Sequence, residues 1–368
     1  MKPKSFVTVL SILCMALAGA SVAVADDVYS SAPTFSPYYA GTVKSSVLNE
    51  ALSELNYIRG LVGVPTDVTL NADFTSKAQH GAVLLDALDT LTHTPGKPAD
   101  MSEEFYDLGY DATSHGNLSM GKISYGGKTY GNMTLSKSLK GCMDDSDAYN
   151  ISLVGHRRWL MNPRLKQTGF GLSTRLGYAV TYVIEEGNNG NWPVNKEFIT
   201  WPTAQHDHPL TYFSGSTAWC VVLNSGVYDK TTKSNVTVKL TRLSDNHVWN
   251  FSTSYKDGAF YVAENTVAYD ECIIFRPDNV ASYGDGERWR VEVSGLTRKD
   301  GGSGNISYTV KFTSAATGYD YDVPREGGSV TYGKKEDKGG GCEALGSPVW
   351  VLCLIFGIPR VRKLRVGK

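Results

Sequence analysis

GHRRWLMNP, residues 155–163, sets His156, Arg157, Arg158 and Trp159 at four consecutive positions and closes on Asn162-Pro163. With Leu153 before it, the segment reads as a helix carrying His156 and Leu160 on one face. Pro163 ends it, because a proline ring cannot continue the i→i−4 hydrogen-bond ladder. An imidazole placed in this way binds a metal, moves a proton, or is hydrogen-bonded inside the fold. Arg157 and Arg158 are expected at the surface or in ion pairs, and Trp159 in the core. Beyond the proline, QTGFGLS (167–173) and GYAVTYVIEE (177–186) read as two strands joined by a tight turn at Arg175–Gly177.

Upstream the pattern is helical. In VKSSVLNEALSELNYIRGLVG (43–63), Val47, Ala51, Leu55, Ile58 and Leu61 recur at steps of three and four, the period of one helix face. Gly60, Gly63 and Pro65 end it. A second helix is expected from about Asp73 to Leu91, with Phe74, Ala78, Ala82, Leu85 and Leu88 inward. Shorter helices are expected in SEEFYDLGY (102–110) and TLSKSLKGCMDD (134–145). Helices followed by a hairpin folded against them make a layered α+β domain, here over residues 44–200.

Composition shifts near residue 205. Seven short runs rich in Val, Ile, Tyr, Phe and Thr follow, around 219–223, 236–243, 248–254, 259–263, 272–275, 288–293 and 306–312, with turn residues between them. That spacing predicts a small antiparallel β-sandwich, immunoglobulin-like in outline, over 210–316. Residues 317–341, rich in Gly, Lys and acids, read as a flexible stalk.

Both ends read as targeting segments. Lys2 and Lys4, an apolar run from Phe6 to Ala20, and Ala23-Val24-Ala25 before Asp26 have the layout of a secretory signal peptide cleaved after Ala25. At the other end, Gly339-Gly340-Gly341-Cys342 precedes an uncharged stretch from Ala344 to Pro359 and a basic tail, Arg360 to Lys368. This order resembles the bacterial C-terminal sorting signals of the Synerg-CTERM and GlyGly-CTERM type. The resemblance implies cleavage by a membrane sorting protease and display at the cell surface or release; an ordinary C-terminal transmembrane anchor is the alternative for 342–368.

Between residues 26 and 341 there are 29 basic and 36 acidic side chains, a net charge of −7, with no basic cluster. A nucleic-acid partner, which needs concentrated positive charge, is not expected. This stretch holds three cysteines: Cys142, Cys220 and Cys272. Cys220 and Cys272 fall in strand-like runs and either form a disulfide or remain thiols; Cys142 reads as a buried thiol. HEXXH, GXSXG and phosphate-binding glycine motifs are all missing.

The ordered set ELNYIRG, an Ala-rich helix, LTHT (91–94), NLSMG (117–121) and GHRRWLMNP leading to GFG is similar to the CAP superfamily, which includes cysteine-rich secretory, antigen 5 and pathogenesis-related proteins. The resemblance covers about residues 44–200 and implies an α-β-α sandwich with a central groove. In many members two histidines and two acidic residues line that groove and can hold a divalent metal, usually zinc. His93 and His156 match the two histidines. The acidic positions depart from the family: one is Gly116, with His115 beside it, and Asp144 or Asp145 stands nearest the other. The expected groove set is therefore His93, His115, Asn117, Asp145 and His156, with His93 and His156 as metal candidates. Zinc normally takes at least three protein ligands. The resemblance favours an exported protein binding a lipid, peptide or glycan in the groove, the alternative being a zinc-dependent hydrolase built on the same histidines.

Overall fold

The computed structural model describes residues 25–184, 190–263, 268, 270–314 and 351–352. The expected signal peptide short of Ala25, the expected stalk from 317 and most of the C-terminal segment lie outside these residues. Helices and several sheets alternate along the chain, an α+β fold.

After a single helical turn at Ala25–Val28, the described first half carries five longer helices: α1 (Ser45–Leu61), α2 (Ala72–Leu88), α3 (Glu103–His115), α4 (Leu135–Asp144) and α5 (Gly155–Leu160). Three begin where a side-chain oxygen takes up orphan amides of the first turn. Asn71 accepts from Asp73 and Phe74, Ser102 from Phe105, and Thr134 from Lys137. The apolar stripe of α1 is buried as its period requires, with Ala51, Leu55, Ile58 and Leu61 at 3 % exposure or less.

The central sheet is built from β1 (Thr69–Leu70), β2 (Gly116–Tyr125), β4 (Gln167–Ser173) and β5 (Tyr178–Tyr182) in the order β2-β5-β4-β1. β3 (Lys128–Gly131) hairpins onto the outer part of β2, and Val351–Leu352 pairs antiparallel with Met120–Gly121. The β4–β5 hairpin sets Phe170 against Thr181 and Gly171 against Val180. Alternation splits the strand residues between two layers. Leu118, Tyr178, Val180 and Tyr182 pack with α2 and α3, while Phe170, Leu172 and Ala179 join the core under α1, α4 and α5. The glycines of the GFG run are there because α2 lies on the strand: a Cβ at Gly171 would stand 2.0 Å from the Ala78 carbonyl oxygen, and one at Gly169 2.3 Å from the Phe74 backbone.

The second half is all β apart from one 3-10 turn (Leu210–Tyr212). β6 (Phe198–Trp201), β8 (Trp219–Leu223), β12 (Glu271–Pro277) and β11 (Gly258–Ala263) form one sheet in that order. β7 (His208–Pro209), β14 (Ile306–Thr313), β13 (Arg288–Ser294), β9 (Thr237–Arg242) and β10 (His247–Phe251) form the other. Trp219, Trp289, Phe275 and Phe312 are sealed between strands of the two sheets, each at 0 % exposure. Burying an aromatic of this size contributes ~2–3 kcal/mol. One apolar cluster runs from α1, α4 and α5 through Trp201 into these strands, so the two halves share a core.

Candidate functional site

The quoted segment folds as a short helix in which all six residues, Gly155 to Leu160, are buried. Arg59 of α1 fixes its far end. The guanidinium donates to the carbonyl oxygens of Leu160 (2.8 Å), Asn162 (2.9 Å), Leu165 (3.3 Å) and, through Nε, Pro65 (2.8 Å). A planar fork of five donors suits this task, since it satisfies four carbonyls of an irregular chain reversal at once.

Arg157 and Arg158 are not at the surface; they are 0 % and 1 % exposed. Arg157 donates to the carbonyls of Met143 (2.6 Å), Ala218 (2.7 Å) and Asp144, and approaches Cys220 Sγ at 3.5 Å. Arg158 reaches the carbonyls of Leu153 and Asp270. The charges are buried because backbone carbonyls of both halves, Met143, Asp144 and Leu153 with Ala218 and Asp270, accept from them, a context that helical spacing cannot reveal. Trp159 is core, at 8 % exposure.

His156 is 1 % exposed, and its Nδ1 lies 2.8 Å from Asp145 Oδ1, on a carboxylate with no side-chain exposure. The second Asp145 oxygen accepts the Arg157 amide at 3.3 Å. Asp145 attains this position as the left-handed cap of α4 (φ 42°), a conformation that short polar side chains tolerate. The neighbouring carboxylate diverges: Asp144 accepts from Thr217 of the second half. Of the two acids considered from sequence, Asp145 is the histidine's partner.

Asn117 joins the pair by donating to the His156 carbonyl (2.9 Å). His93 sits against the last turn of α3, its Nδ1 at 2.6 Å from the Thr113 carbonyl, and is partly exposed. His115, the last residue of α3, contacts Asp111 Oδ1 at 3.0 Å and stacks on Tyr182 with ring centres 5.8 Å apart. Burial pushes the Asp111 carboxyl up, but hydrogen bonds from His115 and Lys77 outweigh it and hold the group at about 2. Tyr182 belongs to the α2–α3 side of the sheet, whereas His156 lies on the α4–α5 side. The fold thus gathers Asn117, His156 and Asp145, sets His93 against the last turn of α3, and stacks His115, at the end of that helix, on Tyr182 of β5.

Among the described residues, no three His, Cys, Asp or Glu side chains come together as a metal-binding group. The chemistry of the site agrees, since Asp145 has both oxygens committed to His156 and Arg157. Zinc normally takes at least three protein ligands. Two further histidines, His206 and His208, occupy different settings. His208 is buried on β7 among Trp201, Phe213 and Phe312, and its Nδ1 accepts the Thr203 amide at 3.2 Å. His206 lies in a bend before the strand and is partly exposed. Cys142, Cys220 and Cys272 are buried free thiols.

Arg59, within ELNYIRG, holds a structural role that the helical pattern does not assign. The available signal was a lone cation inside the apolar stripe of α1, one turn after Leu55. Asp111 and Thr113, which position His115 and His93, carried no signal of their own.

The family model for the cysteine-rich secretory protein family, CAP, matches residues 52–184. No curated protein and no solved structure gives a match. The matched stretch runs from α1 through the β4–β5 hairpin and contains Arg59, His93, Asn117, Asp145 and His156. Residues 52–184 of this chain are a CAP superfamily domain.

Proposed function

We propose that the chain is an exported bacterial protein whose CAP domain binds an extended ligand, with lipid first among lipid, peptide and glycan, rather than transforming it. The observation that carries this reading is the burial of the His156–Asp145 pair. A general base must come within hydrogen-bond reach of the proton it takes. His156 instead is sealed at 1 % exposure, with Nδ1 on Asp145 and its carbonyl held by Asn117. The pair braces the wall between α4, α5 and β2, while His93 and His115 are partly exposed. Zinc hydrolysis is the second reading; it would have to draw Asp145 away from His156 and the Arg157 amide, which hold its two oxygens.

The sequence features at both ends support passage through the secretory route and processing by a membrane sorting protease, with display on the envelope or release. Tyr29, four residues past the expected cleavage point, already packs into the fold, its hydroxyl donating to the Leu172 carbonyl at 2.9 Å. That supports a mature chain beginning near Asp26. The second half then serves as an immunoglobulin-like spacer or adhesion module.

The test is extraction of the purified protein after incubation with total lipid, followed by mass spectrometry. Stoichiometric co-purifying lipid is expected. A lipid-free protein carrying one equivalent of zinc, lost in a His93→Ala/His156→Ala double variant, would replace this reading with the hydrolase.

A further inference from the structure

Lys196 lies where the two halves meet, and it is a partly buried cation that no carboxylate among the described residues pairs. Its amine reaches the end of α1. A Cβ built on Gly63 (φ +67°) would stand 2.9 Å from Lys196 Nζ and 3.2 Å from Gln205 Oε1, so these two groups flank the same glycine. Among the described residues no carboxylate pairs with the amine. The acids nearest to it along the chain and across the recess are already engaged: Glu197 with Arg298 at 2.7 Å, and Asp207 with Lys311.

Beside it opens a polar recess of about 480 Å³ lined by Gln205, His206, Asp207, Arg288, Thr309 and Lys311. Arg288 and Lys311 are directly opposed in the β13–β14 register and both point outward. Two positive charges, Arg288 and Lys311, line this space, the second paired with its one carboxylate, Asp207, and Lys196 stands next to it, beside Gln205 and close enough for its charge to act on His206. An ammonium moved out of water is destabilised unless a counter-charge replaces its hydration. An unpaired one beside a concave, cation-rimmed surface leaves a place for an anion.

We propose that this recess binds a small oxyanion, either a free phosphate or sulfate or the carboxylate of a small molecule, with Lys196 and Arg288 as its principal contacts. Arg288 supplies a planar fork matched to two oxygens, and Lys196 supplies a point charge from the inner side. Gln205 and Thr309 add neutral polar groups at the wall. The titration behaviour is in keeping with the geometry. Burial pushes the Lys196 amine down to about 8, and His206 is pushed down by burial and by the charge of Lys196. An oxyanion in the recess would restore the amine to its ordinary range. The site stands apart from the CAP groove, so it does not rest on the ligand proposed there.

The experiment is titration of the purified protein with inorganic phosphate, sulfate and acetate, each against sodium chloride at equal ionic strength. Calorimetry and the thermal midpoint are the readouts. At least one of the three oxyanions should bind saturably and raise the midpoint where chloride does not. Phosphate or sulfate alone would identify a tetrahedral ligand, and acetate alone a carboxylate. Lys196→Met should weaken that binding at least tenfold while raising the ligand-free midpoint, since it removes an unpaired, desolvated charge. Arg288→Met, on an exposed strand position, should weaken it comparably and serves if the first variant does not fold. Responses no larger than that of chloride, or unchanged affinity in both variants, would overturn the proposal.

Discussion

His156 Nδ1 and Asp145 Oδ1 are 2.8 Å apart with both side chains withdrawn from water, and this contact joins the end of α4 to α5. Removing one partner of such a pair leaves the other polar group buried and unsatisfied, which costs ~3–5 kcal/mol. His156→Ala is therefore expected to lower stability by that order in urea unfolding. Asp145→Ala should behave similarly, and the double variant should lose clearly less than the two singles combined. Strict additivity would show that the two side chains do not depend on each other.

Arg59 should matter as much, although it touches no candidate ligand residue. Its four carbonyl acceptors have no substitute donor if the guanidinium is removed. Arg59→Met is expected to cost ~3 kcal/mol or more. Arg59→Lys should recover under half of that, because an ammonium cannot span the fork. A lysine variant as stable as the parent would contradict the geometry.

Stability should fall on mild acidification through His208. Burial, and then the nearby Arg157 charge, push this imidazole from 6.5 down to about 3. Between these values the unfolded chain takes up a proton that the folded chain refuses. The contribution is thus complete above pH ~6.5 and is lost as pH falls towards 3, at ~1.4 kcal/mol per unit. Unfolding midpoints measured from pH 6.5 to 4.5, above the ordinary carboxylate range, should decline steeply in the parent and much less in His208→Gln. Parallel slopes would place the acid sensitivity elsewhere.

Cys220 and Cys272 should be recovered as thiols. They sit on adjacent antiparallel strands, but Cys220 faces Ile274 and Cys272 faces Val222. Such a diagonal pair has Cα atoms ~7–8 Å apart, beyond the ~6.8 Å that a disulfide tolerates without backbone movement. Native protein is expected to leave both unreacted with a thiol reagent, and denatured protein to expose both together with Cys142. A mapped Cys220–Cys272 disulfide would refute this.

Much of the architecture was legible along the chain because it depends on local periodicity. The strands expected at 219–223, 288–293 and 306–312 form with their bounds shifted by at most one residue. QTGFGLS is a strand over its whole length. The apolar stripe of α1 faces inward at every position read from the three-and-four spacing except Val47, which is only partly buried. Periods of 2.0 and 3.6 residues decide which side of an element is apolar, and the sequence carries them directly.

The order of short motifs from ELNYIRG to GFG was enough, by itself, to indicate a CAP domain, and the family match over 52–184 agrees. What a polar side chain touches was settled only by the tertiary structure. Arg157 and Arg158 read as surface groups because charge favours water. They are buried because carbonyls of the first half, joined by those of Ala218 and Asp270, 61 and 112 residues away in sequence, replace that water. His156 met Asp145 rather than Asp144 because α4 ends in a left-handed turn at that residue. A charge is stable inside a protein only when its partners arrive with correct geometry, and those partners come from distant segments that no local pattern encodes.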